Sequence, residues 1–397
     1  MRLYPKISSG SLFILFWLFP IILAAQTSNT DHLVYNDDGS VTFVLKRPES
    51  HRVKLYCDCA LRDRKFNVNR ENMHSAKMTS DRNGFFTYTT PPLVPEVYTY
   101  QFKSRRQRLI DPNNADSIRI SDGKRSVFII PGSHLIDLCL TDSLHGKTEL
   151  CQYMDTISGK KRNILIYLPP QYDNTNRIFP VLYLLHGLDG NEQSWRERGR
   201  VLQLVDKLIQ QGKAEPMVIV MPDANPKKLI GQDEHVSLTS NLFHYHSWYH
   251  YDFEHTFPTM DSFLATHYRI SSDRNTRAVC GLSAGATQSV TLSNMYEDNF
   301  KYVGLFSPIV HRKQLPSSKN TIYWIGSGKT DIFHSQSKKF VKWIHQRQIP
   351  YIYYETNGGH TWRNWRLYLS EFLQFVFRKD ATSSLSVPCV QSYNPHE

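Results

Sequence analysis

The chain has 397 residues, of which 40% are hydrophobic and 21% are charged, a balance that is typical of a globular protein and excludes wholesale disorder. This length favours two domains over one. The formal net charge of +11 comes without a nucleic-acid-binding motif, so we expect a solvated basic face and no nucleic-acid partner. Basic residues in the first third of the chain include Arg62, Arg64, Lys65, Lys103, Arg105, Arg106 and Arg108.

The N-terminus has the three parts of a secretory signal peptide. Two basic residues precede an apolar run over residues 12–23, and small residues then precede Gln26. The run is shorter than the ~20 residues that a membrane-spanning helix needs, and Pro20 interrupts it. We therefore predict that residues 1–25 are a signal peptide and that the mature protein is periplasmic or secreted, with no membrane insertion after cleavage.

Residues 26–132 have the pattern of short strands separated by turns. Asp38-Gly39 and Asn83-Gly84 are turn signals, and the runs Val41–Leu45 and Val97–Phe102 near them alternate with a period of two. This pattern predicts a small all-β sandwich. No nucleophile is paired with a base in this region, so we expect it to bind or to pack rather than to catalyse.

The sequence has six cysteines, and an exported protein can form disulfides, but their pairing stays open. Cys57 and Cys59 lie two residues apart and share a face if they lie on a strand. A Cys-x-Cys pair without a second pair of ligands does not make a zinc site. We therefore predict no metal and no cofactor.

Residues 133–379 alternate apolar strand-like runs with amphipathic segments of helix length, which predicts an α/β domain with a mostly parallel sheet covered by helices. The tail over residues 380–397 is rich in Ser, Thr and Pro and is predicted to be disordered. The predicted helices include Val201–Gln211 and Ser335–Gln346. The predicted strands are Asn163–Tyr167, Val181–Leu185, Met217–Met221, Arg277–Cys280, Tyr302–Phe306, Thr321–Ile325 and Tyr351–Tyr354.

Ser283 is the candidate nucleophile because it lies in Gly281-Leu282-Ser283-Ala284-Gly285, between a predicted strand and a plausible helix start. The flanking glycines permit the tight turn that presents the serine hydroxyl at the end of the strand. The helix N-terminus that follows favours developing negative charge. The motif alone is weak evidence, so the assignment depends on its partners.

A catalytic serine needs a base and an orienting carboxylate, which follow it in the order acid then histidine in this kind of fold. Asp331 follows the predicted strand Thr321–Ile325, and His360 follows Tyr351–Tyr354. We predict that these residues are the acid and the base. Glu355 is the alternative acid.

The oxyanion of an acyl-transfer reaction needs two backbone donors. The amide of Ala284 follows the nucleophile directly, and the amide of Leu188 lies in the loop after the predicted strand Val181–Leu185. We predict that these two amides form the oxyanion hole. His186 precedes the serine in the chain, which is the wrong order for the base, so we expect its ring to be structural.

Residues from about 145 to 378 resemble the esterase D-like esterases, which include the family 1 carbohydrate esterases such as feruloyl and acetylxylan esterases. The resemblance implies an α/β-hydrolase fold and places nucleophile, acid and base on Ser283, Asp331 and His360. Members usually have Met and two glycines after the serine, whereas this chain has Ala284-Gly285-Ala286. The segments that carry the resemblance are Tyr167-Leu168-Pro169-Pro170-Gln171-Tyr172-Asp173, Leu185-His186-Gly187, residues 217–222, residues 281–285 and residues 358–366.

Two further residues, Gln288 and Trp362, are candidates for substrate contact. The aromatic segment over residues 241–255 lies where many relatives shape the substrate rim. The N-terminal region is similar to the immunoglobulin-like modules of carbohydrate-binding family 48, on Asn83-Gly84-Phe85-Phe86, residues 98–102 and residues 111–113. A structural cap and a glycan-binding platform both stay open for it.

The sequence therefore predicts a secreted serine esterase that removes feruloyl or acetyl groups from ester-substituted polysaccharide such as xylan. An enterochelin-type siderophore esterase is the alternative enzyme, and a glutathione thioesterase fits export less well. A non-catalytic glycan-binding protein on a hydrolase fold is the alternative of another class, and it would require a broken triad. The oligomeric state stays open.

Overall fold

The computed structural model describes residues 32–59, 74–105, 107–120, 123–140, 146–188, 190–225, 253–310, 315–316, 318–378 and 389–392. The predicted signal peptide, most of the aromatic segment over residues 241–255, and the basic residues Arg62, Arg64, Lys65 and Arg106 lie outside these ranges. No helix in the described ranges combines the length and the apolar character that crossing a bilayer requires.

The N-terminal region contains two antiparallel sheets, one with the strand order β1-β2-β6-β5 and one with the order β4-β3-β7-β10-β9, in which β8 also pairs with β7. Their strands are β1 (Leu33–Tyr35), β2 (Val41–Lys46), β3 (Val53–Cys57), β4 (His74–Lys77), β5 (Thr79–Ser80), β6 (Phe85–Thr89), β7 (Glu96–Ser104), β8 (Gln107–Leu109), β9 (Ser117–Ile120) and β10 (Gly123–Ile130).

The two sheets share one hydrophobic core. Phe43 of β2 packs edge-on against Tyr100 of β7 and Phe128 of β10, with ring centroids 4.9 and 5.4 Å apart. Side chains of β2, β3, β7 and β10 alternate between this core and the outside, as expected for sheets with one buried face. A preceding all-β sandwich was predicted and is confirmed as two packed sheets, whereas its immunoglobulin-like character stays a prediction.

Cys57 and Cys59 form a disulfide at the end of β3. The sequence left the cysteine pairing open. Asp58, between the two cysteines, accepts hydrogen bonds from the backbone amide and the hydroxyl of Thr99 on β7, at 2.9 Å each.

The C-terminal region is built on one nine-stranded sheet with the order β11-β12-β14-β13-β15-β16-β17-β18-β19. The pairs from β14 and β13 through to β19 are parallel, while β11, β12 and β14 pair in antiparallel fashion. Its strands are β11 (Lys147–Asp155), β12 (Lys160–Leu168), β13 (Val181–Leu185), β14 (Val218–Pro222), β15 (Arg277–Leu282), β16 (Tyr302–Phe306), β17 (Ile322–Gly328), β18 (Tyr351–Thr356) and β19 (Cys389–Ser392).

Helices cover both faces of this sheet. Alternating side chains such as Ile164 and Leu165 of β12 belong to two different cores, as a sheet buried on both faces requires. Helices α4, α5 and α6 cover one face, and α1, α2, α3 and α7 cover the other. The helices are α1 (His134–Leu138), α2 (Ser194–Glu197), α3 (Val201–Gln210), α4 (Phe253–His267), α5 (Ala284–Met295), α6 (His334–Gln346) and α7 (Trp362–Phe375).

The predicted fold class, a mostly parallel α/β-hydrolase sheet after a β module, is confirmed. The prediction that the tail over residues 380–397 is disordered is wrong for Cys389–Ser392, which pairs in parallel with β18 as strand β19. An edge strand has unpaired backbone N–H and C=O groups, and a further segment can pair with them even when its flanking residues are polar. The described sheets of the N-terminal region end at Ile130 and the large sheet begins at Lys147, which brackets the predicted boundary between residues 132 and 133.

Candidate active site

Ser283 occupies a tight turn between β15 and α5. Its φ of 53° is in the left-handed region, which is strained for a residue with a side chain. The backbone amide of Ser283 donates a hydrogen bond to the carbonyl oxygen of Phe306 at the end of β16, at 2.8 Å, which holds the turn in place. A Cβ on Gly285 would come within 2.3 Å of the carbonyl oxygen of His186, so the turn needs glycine there.

His360 lies next to Ser283, in the loop between β18 and α7. Its Nε2 is 3.0 Å from the Oγ of Ser283, and its Nδ1 is 3.1 and 3.2 Å from the two carboxylate oxygens of Asp331. The rings of Phe333 and Trp365 meet the imidazole edge-on, at centroid distances of 5.1 and 4.9 Å. The imidazole is therefore held with one nitrogen on the serine and the other on the acid.

Asp331 follows β17, and its side chain is fully buried. Burial by itself would raise the pKa of this carboxyl. Hydrogen bonding to His360 and the charge of His360, together with hydrogen bonds from the Ser307 hydroxyl and the Phe333 amide, outweigh burial and lower the pKa below its usual value of 3.8. The carboxylate therefore stays ionised and can orient the imidazole.

Glu355, the alternative acid, contacts residues other than His360. It accepts a hydrogen bond from the hydroxyl of Tyr353 at 2.9 Å and lies 3.4 Å from the Nε2 of His334. The structure thus brings Asp331, and not Glu355, to His360.

Two residues that sequence reasoning missed support the acid. The indole Nε1 of Trp365 donates a hydrogen bond to the hydroxyl oxygen of Ser307 at 3.0 Å, and the hydroxyl of Ser307 bonds to Asp331. Ser307 is fully buried, and its φ is 57°. It directly follows β16, so the same rule that indicated Asp331 and His360, a polar residue just after a parallel strand, could have found it.

The loop after β13 packs against the serine turn. A Cβ on Gly187 would lie 2.5 Å from the Cδ1 of Leu282 and 3.5 Å from the Cβ of Ser283. Leu188 follows in this loop, and Ala284 is the first residue of helix α5, where backbone amides have no partner within the helix. Both predicted oxyanion donors thus belong to segments that meet at Ser283, and their role stays a prediction.

His186 lies in the same loop and has structural contacts. The amide of Ala224 donates to its Nε2 at 3.0 Å, which leaves the ring proton on Nδ1, 2.7 Å from the carbonyl oxygen of Gly187. Burial lowers the pKa of the ring, so the neutral form is favoured. His186 ties the end of β13 to the segment after β14.

The two candidate substrate contacts are already engaged within the protein. The amide nitrogen of Gln288 donates to the carbonyl oxygen of Ala224 at 2.8 Å. Trp362 is buried, and its ring packs edge-on against Trp195 and Trp365, at centroid distances of 5.1 and 5.4 Å. The structure thus places the Trp362 ring in a packing position, and contact of Gln288 and Trp362 with substrate stays a prediction.

The start of α7 also contacts the N-terminal region. Glu96 of β7 accepts a short hydrogen bond from Arg366 and lies 3.3 Å from the Nε of Arg363. The other end of the Arg366 guanidinium donates to the carbonyl oxygen of Arg198 at 2.7 Å. A third ion pair between the two regions joins Arg200 to Asp116 at 2.6 Å.

This sheet order, with a serine turn after β15 and an acid and a histidine after β17 and β18, defines an α/β-hydrolase. Residues 156–331 match the model of the esterase family described as "Putative esterase". The matched segment contains Ser283 and Asp331 and ends before His360.

Two curated relatives each match more than half of this chain. A protein of Xylanibacter ruminicola named "Endo-1,4-beta-xylanase/feruloyl esterase" is 26% identical over 239 residues, which are 58% of this chain and 31% of the relative. A protein of Acetivibrio thermocellus named "Endo-1,4-beta-xylanase Y" is 24% identical over 211 residues, 51% of this chain and 17% of the relative. The chain thus spans less than a third of the length of either relative.

Solved structures share the fold. A ferulic acid esterase of the fungus Anaeromyces mucronatus, solved in complex with ferulic acid, is 25% identical with a TM-score of 0.50, covering 58% of this chain and 91% of that one. The enterobactin esterase of Shigella flexneri, solved in the presence of enterobactin, is 15% identical with a TM-score of 0.62. That second likeness covers 87% of this chain and 96% of the other, and it concerns the fold alone.

Proposed function

We propose that the protein is a serine carboxylic-ester hydrolase with Ser283 as nucleophile, His360 as base and Asp331 as the orienting acid. One observation carries this proposal: the imidazole of His360 bridges the Ser283 hydroxyl at 3.0 Å and the Asp331 carboxylate at 3.1 Å. The alternative of a non-catalytic glycan-binding protein would require a broken triad, whereas His360 lies within hydrogen-bonding distance of both Ser283 and Asp331.

In the proposed reaction the Nε2 of His360 takes the proton of the Ser283 hydroxyl as the serine attacks the ester carbonyl. Asp331 holds the Nδ1 proton and stabilises the imidazolium that forms. The amides of Ala284 and Leu188 are the proposed donors to the oxyanion. The imidazolium protonates the departing alcohol, and water activated by the same nitrogen then releases the acid and restores the serine.

The experiment is hydrolysis of p-nitrophenyl acetate and methyl ferulate by the wild type and by Ser283→Ala. We expect the wild type to be active and the variant to lose about a thousandfold or more in kcat. The exposed Ser335→Ala variant, on the first turn of α6, is the matched control and keeps full activity. Activity that survives in Ser283→Ala overturns the mechanism, and a folded wild type that is inactive on a broad ester panel overturns the enzyme proposal.

The proposed substrate is a feruloyl or acetyl ester on plant xylan. Support comes from the relative named "Endo-1,4-beta-xylanase/feruloyl esterase" and from the structure of the Anaeromyces esterase with ferulic acid. Chromatography of the acids released from feruloylated and acetylated xylan tests this proposal. Release of neither acid by an enzyme that hydrolyses methyl ferulate would contradict it.

A siderophore trilactone is the second candidate substrate. Its support is the fold shared with the enterobactin esterase, which extends over 87% of this chain and so includes the N-terminal region. Enterobactin therefore belongs in the ester panel, and a kcat/KM for it above that for feruloylated xylan would favour this candidate.

We further propose that the protein is exported, to the periplasm or outside the cell. The basic residues and the apolar run before Gln26 support this. Expression of the full chain with a C-terminal tag, followed by fractionation and N-terminal sequencing, should find a mature start near Gln26 outside the cytoplasm. Retention of an unprocessed chain in the cytoplasm would overturn export.

A further inference from the structure

Four cationic side chains lie opposite one another across four neighbouring strands of the N-terminal region. Lys54 of β3 is paired with Lys77 of β4 on one side and with Lys103 of β7 on the other. Lys103 is paired in turn with Arg108 of β8. We call these four residues the basic row. Since neighbouring strands are about 4.8 Å apart, the row is roughly 14 Å long.

The basic row lies on the outer face of its sheet. Leu55 of β3 and Phe102 of β7 point into the core, and Lys54 and Lys103, their neighbours in the chain, point the other way. Lys54 and Lys103 are half-buried, and Lys77 and Arg108 are exposed. Tyr56 lies on the same face, and its ring is 5.6 Å from the ammonium group of Lys103.

Like charges directly opposite each other in a sheet destabilise it. Lysine on an edge strand has a common explanation, since it prevents edge-to-edge aggregation. That explanation does not cover Lys54 and Lys103, because β3 and β7 are interior strands. Within the described part of the chain, no carboxylate lies within 4.0 Å of the ammonium group of Lys54, Lys77 or Lys103. The opposition of these three lysines therefore has an electrostatic cost that the fold does not require.

The same outer face continues to the hydrolase region. Thr99 and Val97, further along β7 on the face that carries Lys103, line a cleft together with Trp362 and Arg366 of α7. Lys103 is about 13 Å along the strand from Thr99. Trp362 follows His360 closely in the chain. An extended ligand on the basic row can thus run toward the region that carries the triad.

We propose that the basic row binds a polysaccharide that carries carboxylates, such as a chain with uronic acid residues. A line of cations at strand spacing is complementary to an extended chain with repeated negative charges, and Tyr56 offers an aromatic surface to a sugar ring. The choice of a glycan over other polyanions rests on the proposed esterase function. An anion-binding role would account for the cost of the three opposed lysines, where the sequence alone favours a solvated face.

The experiment measures binding of the full mature chain to xylan with glucuronic acid branches and to neutral arabinoxylan by isothermal titration calorimetry. The triple variant Lys54→Gln/Lys77→Gln/Lys103→Gln is compared with Lys338→Gln/Lys339→Gln/Lys342→Gln, which removes three exposed lysines of α6. We expect the wild type and the α6 variant to bind the acidic xylan more tightly than the neutral one. The basic-row variant should lose about tenfold or more in affinity, and added salt should weaken wild-type binding.

Unchanged affinity of the basic-row variant for acidic xylan would overturn the proposal. So would equal binding of neutral and acidic xylan by the wild type, or tighter binding of single-stranded DNA or of phosphatidylserine vesicles. The Tm of the basic-row variant should stay the same or rise, because opposed charges are removed, so lost binding cannot be blamed on unfolding. Methyl ferulate hydrolysis by the wild type is assayed in parallel: its absence overturns the esterase function and leaves the binding result standing.

Discussion

Trp365 and Ser307 are joined by a hydrogen bond of 3.0 Å from the indole Nε1 to the serine hydroxyl oxygen. The same indole meets the ring of His360 edge-on, and the Ser307 hydroxyl bonds to Asp331. One side chain of α7 therefore touches the base directly and supports the acid through a single hydroxyl. This arrangement fixes Asp331 and His360 relative to each other, although they are 29 residues apart in the chain.

Removal of the Ser307 hydroxyl should slow the reaction without weakening substrate binding. In Ser307→Ala, Asp331 loses one buried donor and the Trp365 indole loses its acceptor. A hydrogen bond to a charged group contributes about 1.5–3 kcal/mol, so we expect kcat to fall by roughly tenfold to a hundredfold with KM little changed. Steady-state kinetics on methyl ferulate provide the measurement.

Ser307→Gly is the matched control for backbone strain, because Ser307 has a φ of 57° that glycine adopts freely. If the hydroxyl matters, the glycine and alanine variants lose the same factor in kcat. A glycine variant with wild-type kcat would show that the hydroxyl has no role in positioning Asp331.

The turn around Ser283 should not tolerate a methyl group at Gly285. A Cβ there would come within 2.3 Å of the carbonyl oxygen of His186, which is backbone and cannot move aside. We expect Gly285→Ala to lower the free energy of unfolding by about 3 kcal/mol or more and to abolish activity. Urea denaturation followed by tryptophan fluorescence measures the first effect.

Ala286→Gly is the neighbouring control for this prediction. Ala286 lies on α5 and is fully buried, and it is the position where the esterases that this chain resembles usually have glycine. Its replacement removes one methyl group and a good helix former, so a loss of only about 1–2 kcal/mol is expected. Equal destabilisation by the two variants would contradict the steric account of Gly285.

Much of the hydrolase fold could be predicted because buried parallel strands are continuous apolar runs. The predicted strands Val181–Leu185 and Tyr302–Phe306 match the structure at both ends, and the helix predicted from Ser335 begins at His334. The order of Ser283, Asp331 and His360 followed from the rule that functional side chains follow parallel strands. These features depend on local pattern and chain order, which the sequence contains directly.

Features that depend on long-range contacts could not be predicted in the same way. Trp362 follows the base closely in sequence, yet its surroundings are set by the packing of α7 against the N-terminal region. Strand β11 alternates exposed and half-buried residues and lacks an apolar run, so it was not predicted. Lys77, Lys54 and Lys103 lie opposite one another because of the register of their strands. Residues 54 and 103 are far apart in the chain, so the sequence does not show that they are paired.

The lowered pKa of Asp331 predicts how stability depends on pH. Because the pKa of Asp331 in the folded protein is lower than its usual value of 3.8, the folded carboxyl binds fewer protons than the same group in the unfolded chain. Ionised Asp331 therefore adds stability that is fully present above that pH and is lost as the pH falls through the lowered pKa. The gap in unfolding free energy between the wild type and Asp331→Asn should be constant from neutral pH to about pH 5 and should shrink toward about pH 3. Urea denaturation across this range measures it, and a gap that widens in acid would contradict the assignment of the shift.

Glu96 should couple the N-terminal region to the triad. Its side chain is 10% exposed and that of Arg366 is 4% exposed, so the pair is buried. In Glu96→Gln the Arg366 guanidinium stays buried with a neutral partner, and the expected loss of unfolding free energy is about 3 kcal/mol. Because Trp365 precedes Arg366 on α7 and touches His360, we also expect a fall in kcat.

The ion pair between Arg200 and Asp116, which also joins the two regions, provides the control for Glu96. The Asp116 carboxylate that pairs with Arg200 is 49% exposed, so Asp116→Asn should cost less than about 1 kcal/mol and leave kcat unchanged. Replacement of both partners of the buried pair, in Glu96→Leu/Arg366→Met, should restore much of the stability, since no unpaired charge remains inside. If kcat stays low in this double variant while stability returns, the ion pair itself positions α7 and the base. If Glu96→Gln and Asp116→Asn have equally small effects on stability and kcat, the contact between the two regions has no influence on the triad.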